Sequence, residues 1–200
     1  MSYLLILLLG YLIGSIPNGL IIGKWIYNTD LRQYGSHNIG ATNAWRTLGH
    51  KAGLTIFVLD FLKGAVSVLL AAIIGANGAG SVAPIALILG GTMAIVGHSC
   101  SVFLGFKGGK GVATGLGVIM MLMPQAAICA FILWLIIVIV TRYVSLASMV
   151  AAVSVPLQAY YWDKTWEYIV FGILAAAFVV YRHNANIHRL MNGTESKIGF

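Results

Sequence analysis

Two lysines set among four glycines form the most chemically suggestive segment of the sequence. Residues 105–114 read GFKGGKGVAT and lead directly into an apolar run. At a helix N-terminus the free backbone N–H groups and the macrodipole favour an anion, and Lys107 and Lys110 add positive charge. The spacing is not that of a Walker A loop, because Lys110 occupies the place of its second glycine. The segment predicts a phosphate site of another kind, although lysines on the cytoplasmic side would also satisfy membrane topology alone.

A second group of small polar residues, GSHNIGATN, occupies residues 35–43 and is followed by Arg46. Small residues let backbone N–H groups crowd around an anion, and the hydroxyl and amide side chains add short hydrogen-bonding groups. Arg46 can add a forked positive charge. The structural alternative is that Thr42 or Asn43 caps a short helix ending at Gly49. The density of polar residues beside apolar segments favours the anion site.

A third polar group combines residues 142–148, which read RYVSLAS, with a tail at residues 182–190 that reads RHNANIHRL. If the tail is helical, Arg182, Asn186 and Arg189 share one face because they are spaced by four and seven residues. The two arginines are equally explained by orientation in a membrane. His183 and Asn186 are not needed for orientation, so these two residues are the ones that indicate a site.

The composition indicates what kind of structure positions these groups. It is 60% hydrophobic and only 8% charged. Soluble domains carry about 25% charged residues, so these few charges cannot coat a water-exposed surface. The chain is therefore predicted to be an integral membrane protein. The net charge of +7 comes without a long basic tract, so orientation and anionic ligands explain it better than nucleic acid does.

Apolar runs long enough to cross a bilayer divide the chain into candidate spans. They are Tyr3–Ile26, Gly53–Ile74, Val82–Phe103, Val112–Val140, Ser145–Tyr161 and Thr165–Tyr181. The fourth run would be about 44 Å long as one helix, which exceeds a hydrocarbon core of about 30 Å. Pro124 offers a break within it. We therefore predict an all-α bundle of seven transmembrane helices, with two short central spans, forming one domain over residues 1–200.

The distribution of positive charge favours seven spans with the N-terminus outside and the C-terminus in the cytoplasm. In that arrangement the opposite side receives only Lys164 among the lysines and arginines assigned to loops. The cytoplasmic side receives Lys24, Arg32, Arg46, Lys51, Lys107, Lys110, Arg142, Arg182, Arg189 and Lys197. All three polar groups then lie on the cytoplasmic face, where a soluble phosphate and a lipid tail can meet.

One charged pair falls inside a predicted span. Asp60 and Lys63 lie three residues apart on the second span, so their side chains share a face and can partner each other. The sequence leaves two interpretations open. The pair is either a buried structural ion pair or a part of the structure that shapes the ligand site.

Four ordered motifs spread along the chain resemble those of the PlsY family, bacterial membrane acyltransferases that acylate glycerol 3-phosphate with acyl phosphate. They are GSHNIGATN at 35–43, FKGGKGVATG at 106–115, YVSLAS at 143–148 and RHNANIHRLMNGTE at 182–195. The resemblance implies seven spans in the inner membrane and a cytoplasmic active site. It also implies acyl transfer to the 1-hydroxyl, which yields lysophosphatidic acid and inorganic phosphate. No cofactor, metal or nucleic acid is expected, and membrane lipid surrounds an expected monomer.

The resemblance also assigns site residues, of which Ser36, Ser145, His183 and Asn186 are the catalytic candidates. Substrate and phosphate binding falls to Ser36, Asn38, Thr42, Asn43, Arg46, Lys107, Gly108, Gly109, Lys110, Gly111, Thr114, Ser145, Arg182, Asn186 and Glu195, and the tail adds Arg189. Glu195 is expected to pair with one of the site's cations. His37 and Ser101 depart from the family pattern, which more often has glycine and proline at these positions.

Acyl phosphate is already activated, because phosphate is a good leaving group, so the chemistry requires neither coenzyme A nor a metal. The enzyme has to hold two phosphates, align a hydroxyl with a carbonyl and stabilise the developing oxyanion. We expect Lys107, Lys110 and the glycine amides to bind one phosphate. Arg46, together with Arg182 or Arg189, is expected to bind the other.

Three routes are open for the acyl transfer. Transfer assisted by the substrate's own phosphate ranks first, and His183 as general base ranks second. Ser36 or Ser145 as a covalent nucleophile is the third, although no Ser-His-Asp spacing supports a triad.

The alternative function is a membrane transporter of phosphate or a phosphorylated metabolite, but no inverted repeat is visible. A lipid-binding scaffold would not need two anion-binding groups.

Overall fold

The computed structural model describes residues 2–76, 83–162 and 164–199, and within these ranges the secondary structure is entirely helical. The described α-helices are α1 (Ser2–Ser15), α2 (Asn18–Tyr27), α3 (Ala41–Leu48), α4 (His50–Gly75), α5 (Pro84–Ser99), α6 (Val112–Leu122), α7 (Pro124–Thr141), α8 (Val144–Tyr161), α9 (Trp166–Arg182) and α10 (Asn184–Met191). Short 3-10 turns occur at Leu31–Gln33 and Val102–Leu104. The predicted all-α class is confirmed.

The chain divides into two compact units, residues 1–121 and residues 122–200. The first unit contains α1 to α5 and nearly all of α6, and the second contains α7 to α10. In the first unit α1 packs against both α4 and α5, and α3 packs on α4. In the second unit α8 packs between α7 and α9. The first and second polar groups therefore belong to the first unit, and the third belongs to the second unit.

Several helices are long and apolar enough to cross a bilayer, so the chain is a multi-pass membrane protein. Among the described residues five segments meet this condition on their own, and α9 with α10, bent by 60°, makes a sixth. The predicted break at Pro124 is confirmed, because α6 ends at Leu122 and α7 begins at Pro124. With 11 residues, α6 is about 16 Å long and covers about half of the hydrocarbon core. The count of seven crossings and the orientation therefore stay predictions.

The first predicted span is found as the candidate span Ser2–Tyr27, and it consists of two consecutive helices. The helix α1 ends at Ser15 and α2 begins at Asn18, because Pro17 has no N–H to continue the hydrogen-bond ladder. Helix ends leave carbonyls that need donors. The Ser15 carbonyl accepts a hydrogen bond from Ser101 Oγ at 2.6 Å, and the Ile16 carbonyl accepts one from Lys63 Nζ at 2.9 Å. Side chains from later in the chain thus donate the hydrogen bonds that the carbonyls at this helix break need.

Glycines allow α4 and α6 to approach each other closely within the first unit. A Cβ atom on Gly64 would overlap the Thr114 carbonyl oxygen, and one on Gly117 would overlap the Phe61 carbonyl oxygen. Membrane helices have little hydrophobic drive to associate, so close packing through small residues is a main source of their affinity. The two glycines therefore let α6 pack directly on α4 and place Thr114 beside it.

We expect Gly117→Ala to lower the free energy of unfolding by about 1–3 kcal/mol, because the added methyl group must push two helix backbones apart. Gly115→Ala is the matched control on the same helix. Its added Cβ would find its nearest described neighbour, Ile95 Cδ1, at 3.8 Å, which is an ordinary contact. Thermal unfolding in detergent measures both. Equal midpoints for the two variants would contradict the close packing of α4 on α6.

Candidate active site

The loop before α3 is organised by the side chain of Asn43, which is 1% exposed. Its Nδ2 atom donates to three backbone carbonyls, those of Leu31 at 3.0 Å, Tyr34 at 3.0 Å and Asn38 at 2.8 Å. Its Oδ1 atom accepts a hydrogen bond from the Ser36 backbone N–H at 3.0 Å. An amide that bonds four backbone groups of one loop gives that loop a single conformation. Asn43 therefore positions Ser36.

The short helix α3 ends at Leu48 with Gly49 as its C-cap, close to the predicted end, but it is not capped at its start as the structural alternative predicted. The N-cap residue is Gly40, and among the described residues no side chain caps it. Thr42 and Asn43 lie inside the first turn instead. Asn38 Oδ1 accepts the Gly40 N–H at 2.9 Å, which turns the chain into the helix. The polar residues of this loop thus hold its conformation, and the Ser36 side chain stays exposed.

His37 occupies a backbone conformation that suits the glycine more often found at this position of the family pattern. Its φ is 54°, in the left-handed region that glycine adopts without steric cost. The imidazole compensates in part, since its Nδ1 atom lies 3.0 Å from the Arg32 carbonyl oxygen. Ser101 has a φ of −66°, which suits proline, and its hydroxyl makes the bond to the Ser15 carbonyl. Both departures fit the fold locally.

The segment that carries Lys107 and Lys110, residues 105–114, is called the glycine–lysine loop below. Its Gly108 N–H donates to the Ser99 carbonyl and its Gly109 N–H donates to the His98 carbonyl, both at 3.0 Å. These two amides therefore anchor the loop, whereas they were expected to contribute to phosphate binding. The first intrahelical bond of α6 runs from Gly115 N to Gly111 O at 2.7 Å, so the amides before Gly115 point out of the helix end.

The close approach of His98 is a second reason why this loop contains glycines. A Cβ atom on Gly108 would overlap the His98 carbonyl oxygen, and one on Gly109 would overlap the imidazole Nε2. Gly111 has a φ of 79°, a conformation that side chains rarely adopt. The loop therefore packs on the histidine backbone and ring. Lys107 is exposed and Lys110 is half-buried.

His98 is the residue that the sequence interpretation missed. It is 5% exposed, and its Nδ1 atom lies 3.2 Å from Thr114 Oγ1 and 3.8 Å from Asp60 Oδ1. The same carboxylate oxygen binds Lys63 Nζ at 2.8 Å and Asn18 Nδ2 at 3.0 Å. The predicted Asp60–Lys63 pair is therefore confirmed, and it extends to the glycine–lysine loop. A histidine at the end of an apolar run, close in sequence to that loop, was the available signal.

The third polar group is built around the carboxylate of Glu195. Its Oε1 atom accepts hydrogen bonds from Ser145 Oγ and Asn186 Nδ2, each at 2.7 Å, and its Oε2 atom pairs with Arg189 Nε at 2.7 Å. The predicted pairing of Glu195 with a cation is thus found, with Arg189 as the partner. The Ile198 N–H donates to the Arg142 carbonyl at 2.9 Å, which returns the tail to the start of α8.

The helical tail does not present its two arginines as predicted. Arg182 is the last residue of α9, and α10 begins only at Asn184 with a bend of 60° between the two helices. The spacing argument assumed one continuous helix, so Arg182 does not share a helix face with Arg189. Asn186 and Arg189 do lie together on α10, since both bond the same carboxylate.

His183 sits at the bend between α9 and α10 and is 3% exposed. Its Nδ1 atom lies 2.8 Å from the Val179 carbonyl oxygen. A carbonyl only accepts, so Nδ1 carries the proton and Nε2 is the basic nitrogen of the neutral ring. This geometry is compatible with a proton acceptor. Among the described residues no group of three or more histidine, cysteine or acidic side chains could hold a metal ion.

Comparison with known proteins decides the family. The model of the family described as glycerol-3-phosphate acyltransferase matches residues 4–193. The chain belongs to the glycerol-3-phosphate acyltransferase family. Glycerol-3-phosphate acyltransferase 2 of Moorella thermoacetica is 46% identical over 197 residues, which is 98% of either chain. The enzyme of Desulforudis audaxviator is 45% identical over 200 residues, covering 100% of this chain and 98% of that one.

Two crystal structures of PlsY, an integral membrane glycerol 3-phosphate acyltransferase, are similar over the full chain. The glycerol 3-phosphate form has a TM-score of 0.91 at 42% identity, and it covers 100% of this chain and 96% of its own. The lysophosphatidic acid form has a TM-score of 0.88 at 40% identity with the same coverage. The resemblance to the PlsY family that the motifs indicated is confirmed.

The carboxylate of Glu195 has an acidity that can be tested. Burial acts to raise the pKa of Glu195, but the hydrogen bonds from Ser145, Asn186 and Arg189 outweigh it, so the pKa is lowered from its usual 4.5. A lowered pKa stabilises the fold above the usual pKa, and that contribution disappears as the pH falls through the folded-state pKa. We expect Glu195→Gln to cost about 1.5–3 kcal/mol of unfolding free energy at neutral pH.

The difference between the parent protein and Glu195→Gln should shrink as the pH is lowered beneath 4.5, the usual value for this carboxyl. Unfolding midpoints in detergent at several pH values measure it. Ser145→Ala and the double variant complete a cycle, in which we expect the two changes to be less than additive because they remove the same bond. A difference that does not vary with pH would exclude the ionised carboxylate as the source.

Proposed function

We propose that this chain transfers an acyl group from acyl phosphate to the 1-hydroxyl of glycerol 3-phosphate. The products are lysophosphatidic acid and inorganic phosphate, and the reaction serves phospholipid biosynthesis. The observation that carries the proposal is the full-length similarity to PlsY in its glycerol 3-phosphate form, with a TM-score of 0.91 at 42% identity. The choice of acyl phosphate as donor rests on the four motifs and on its chemistry, since it transfers its acyl group without further activation.

The glycine–lysine loop is proposed to bind one phosphate through Lys107, Lys110 and the first amides of α6. Its backbone is held by the bonds to the His98 and Ser99 carbonyls, so these cations and dipoles are organised before the ligand arrives. Preorganised dipoles need no rearrangement when charge develops, which is why they stabilise transition states better than water does. For the other phosphate, the expectation of Arg46 together with Arg182 or Arg189 stays a prediction.

Ser145 is proposed to orient a substrate rather than to attack it. Its hydroxyl donates to Glu195, whose pKa is lowered by the surrounding donors. A carboxylate of low pKa is a weak general base, so it cannot remove the serine proton effectively near pH 7. We therefore propose direct transfer, in which the glycerol hydroxyl attacks the acyl carbon and phosphate leaves with the electron pair. The proton goes to the substrate's own phosphate.

The acceptor requirement tests the function. Purified protein in detergent, given palmitoyl phosphate, should release inorganic phosphate only when glycerol 3-phosphate is added. One lysophosphatidic acid should form for each phosphate released, because the acyl group and the phosphate part in the same step. Phosphate is measured by colorimetry and the lipid by mass spectrometry. Release that is independent of the acceptor would refute a transferase, and uptake of phosphate by vesicles without lipid product would identify a transporter.

His183→Asn separates the two remaining proton acceptors. The asparagine amide can donate to the Val179 carbonyl as the imidazole does, but it is not a base. If the substrate's phosphate takes the proton, turnover should stay within about tenfold of the parent, whereas loss of a general base costs about a hundredfold or more. His188→Ala, an exposed histidine on α10, is the control. A hundredfold loss confined to His183→Asn, with an unchanged unfolding midpoint, would establish His183 as the base.

A further inference from the structure

A buried polar network in the first unit has no role in the proposed reaction. The side chains of Asp60 and Lys63 are 4% and 6% exposed and form an ion pair of 2.8 Å. Asn18 donates to the same carboxylate oxygen, and Lys63 also donates to the Ile16 carbonyl. His98 Nδ1 lies 3.8 Å from the same carboxylate oxygen. The network therefore joins the break between α1 and α2 to the end of α5.

An ion pair in such a place needs a reason beyond stability. Removing two charges from water costs several kcal/mol per ion, and a buried pair is often no more stable than apolar side chains of similar volume. Within a membrane-spanning helix such groups mark functional positions by default. Here each charge has a further polar partner, Asn18 for the carboxylate and the Ile16 carbonyl for the ammonium. A satisfied network of this kind holds its members in one arrangement.

His98 connects this network to the glycine–lysine loop at two points, Gly109 and Thr114. Its carbonyl accepts the Gly109 N–H at 3.0 Å, and its ring packs on Gly109 so closely that no Cβ could fit there. Its Nδ1 atom lies 3.2 Å from Thr114 Oγ1, in the first turn of α6. Lys110 lies between these two contacts in the chain. A displaced His98 would therefore displace the lysine and the helix end together.

We propose that His98, oriented by the buried carboxylate of Asp60, is a positioning residue that holds the glycine–lysine loop in its phosphate-binding conformation. The inference rests on the proposed function, because it assigns that loop to one of the two phosphate-bearing substrates. His98 supports the loop by packing on Gly109 and through its hydrogen bonds with Gly109 and Thr114. Its loss weakens ground-state and transition-state binding alike, which raises KM and leaves kcat nearly unchanged.

The first test is the KM of each substrate for His98→Ala. We expect about a tenfold increase for one substrate, the one whose phosphate the loop binds, and less than a threefold change for the other and for kcat. Ser67→Ala is the matched control. Like His98, Ser67 is buried and polar, but it lies on α4. Its hydroxyl donates to the Lys63 carbonyl at 2.8 Å, a bond that stays within that helix. It should lower the unfolding midpoint without changing either KM.

The second test asks whether Asp60 acts through His98. Changing Asp60 alone would leave Lys63 charged and buried, so the double variant Asp60→Asn with Lys63→Met removes both charges while keeping the volume. It should raise the KM of the same substrate as His98→Ala does. Adding His98→Ala to that background should change the KM by less than threefold, because residues that act in series are not additive.

The outcomes separate this inference from the proposed function. If the parent protein shows no acceptor-dependent turnover, the function fails first. If the parent is active, a fall in kcat with both KM values unchanged would overturn the inference, as would an equal rise of both KM values. Full additivity between His98→Ala and the charge-free background would also overturn it, since it would show that Asp60 and His98 act independently.

Discussion

The carboxylate of Asp60 is the buried group that connects α2, α4 and α5 in the first unit. Hydrocarbon offers no hydrogen bonds, so a polar atom inside a membrane protein must find its partner in the protein. One oxygen of Asp60 meets Lys63 and Asn18 and faces His98. Lys63 in turn satisfies the carbonyl exposed where α1 ends. The requirement for partners thus connects the helix break at Pro17 with Lys63 and Asp60, and through them with His98 next to the glycine–lysine loop.

The second unit also has a carboxylate with several polar partners, that of Glu195. There the carboxylate lies outside the spans and gathers a hydroxyl, an amide and a guanidinium within 2.7 Å. In both units an acidic residue, rather than a cation, sets the positions of the groups around it. Five acidic residues in the whole chain make each such role conspicuous.

The motif residues divide into those that build the loops and those that remain for ligands. Asn43 bonds four backbone groups of its own loop, and Gly108 and Gly109 donate their amides to the chain behind them. Ser36 and Lys107 are exposed on the loops so formed. Motif membership alone therefore does not distinguish a ligand from a support. The loop supports are fixed before any substrate binds, which is the condition for electrostatic stabilisation at low cost.

Composition and local spacing were enough to determine the class of this protein. The scarcity of charge predicted a membrane protein, Pro124 predicted the helix break, and the spacing of Asp60 and Lys63 predicted their pair. These features depend on neighbours in the chain, which a sequence displays directly. The motifs likewise identified the family.

Tertiary structure alone decided which distant residues meet. Ser145 and Glu195 are 50 residues apart in the chain, and Thr114 and His98 are 16 apart on two helices. Such contacts depend on the packing of helices, and no periodicity within one segment encodes them. The bend at His183 moved Arg182 to a different helix from Arg189 for a similar reason, since the spacing rule holds only along an unbroken helix. Tertiary structure also decided the need for Gly108 and Gly109 in the glycine–lysine loop, because His98, which packs against both, lies on the preceding helix.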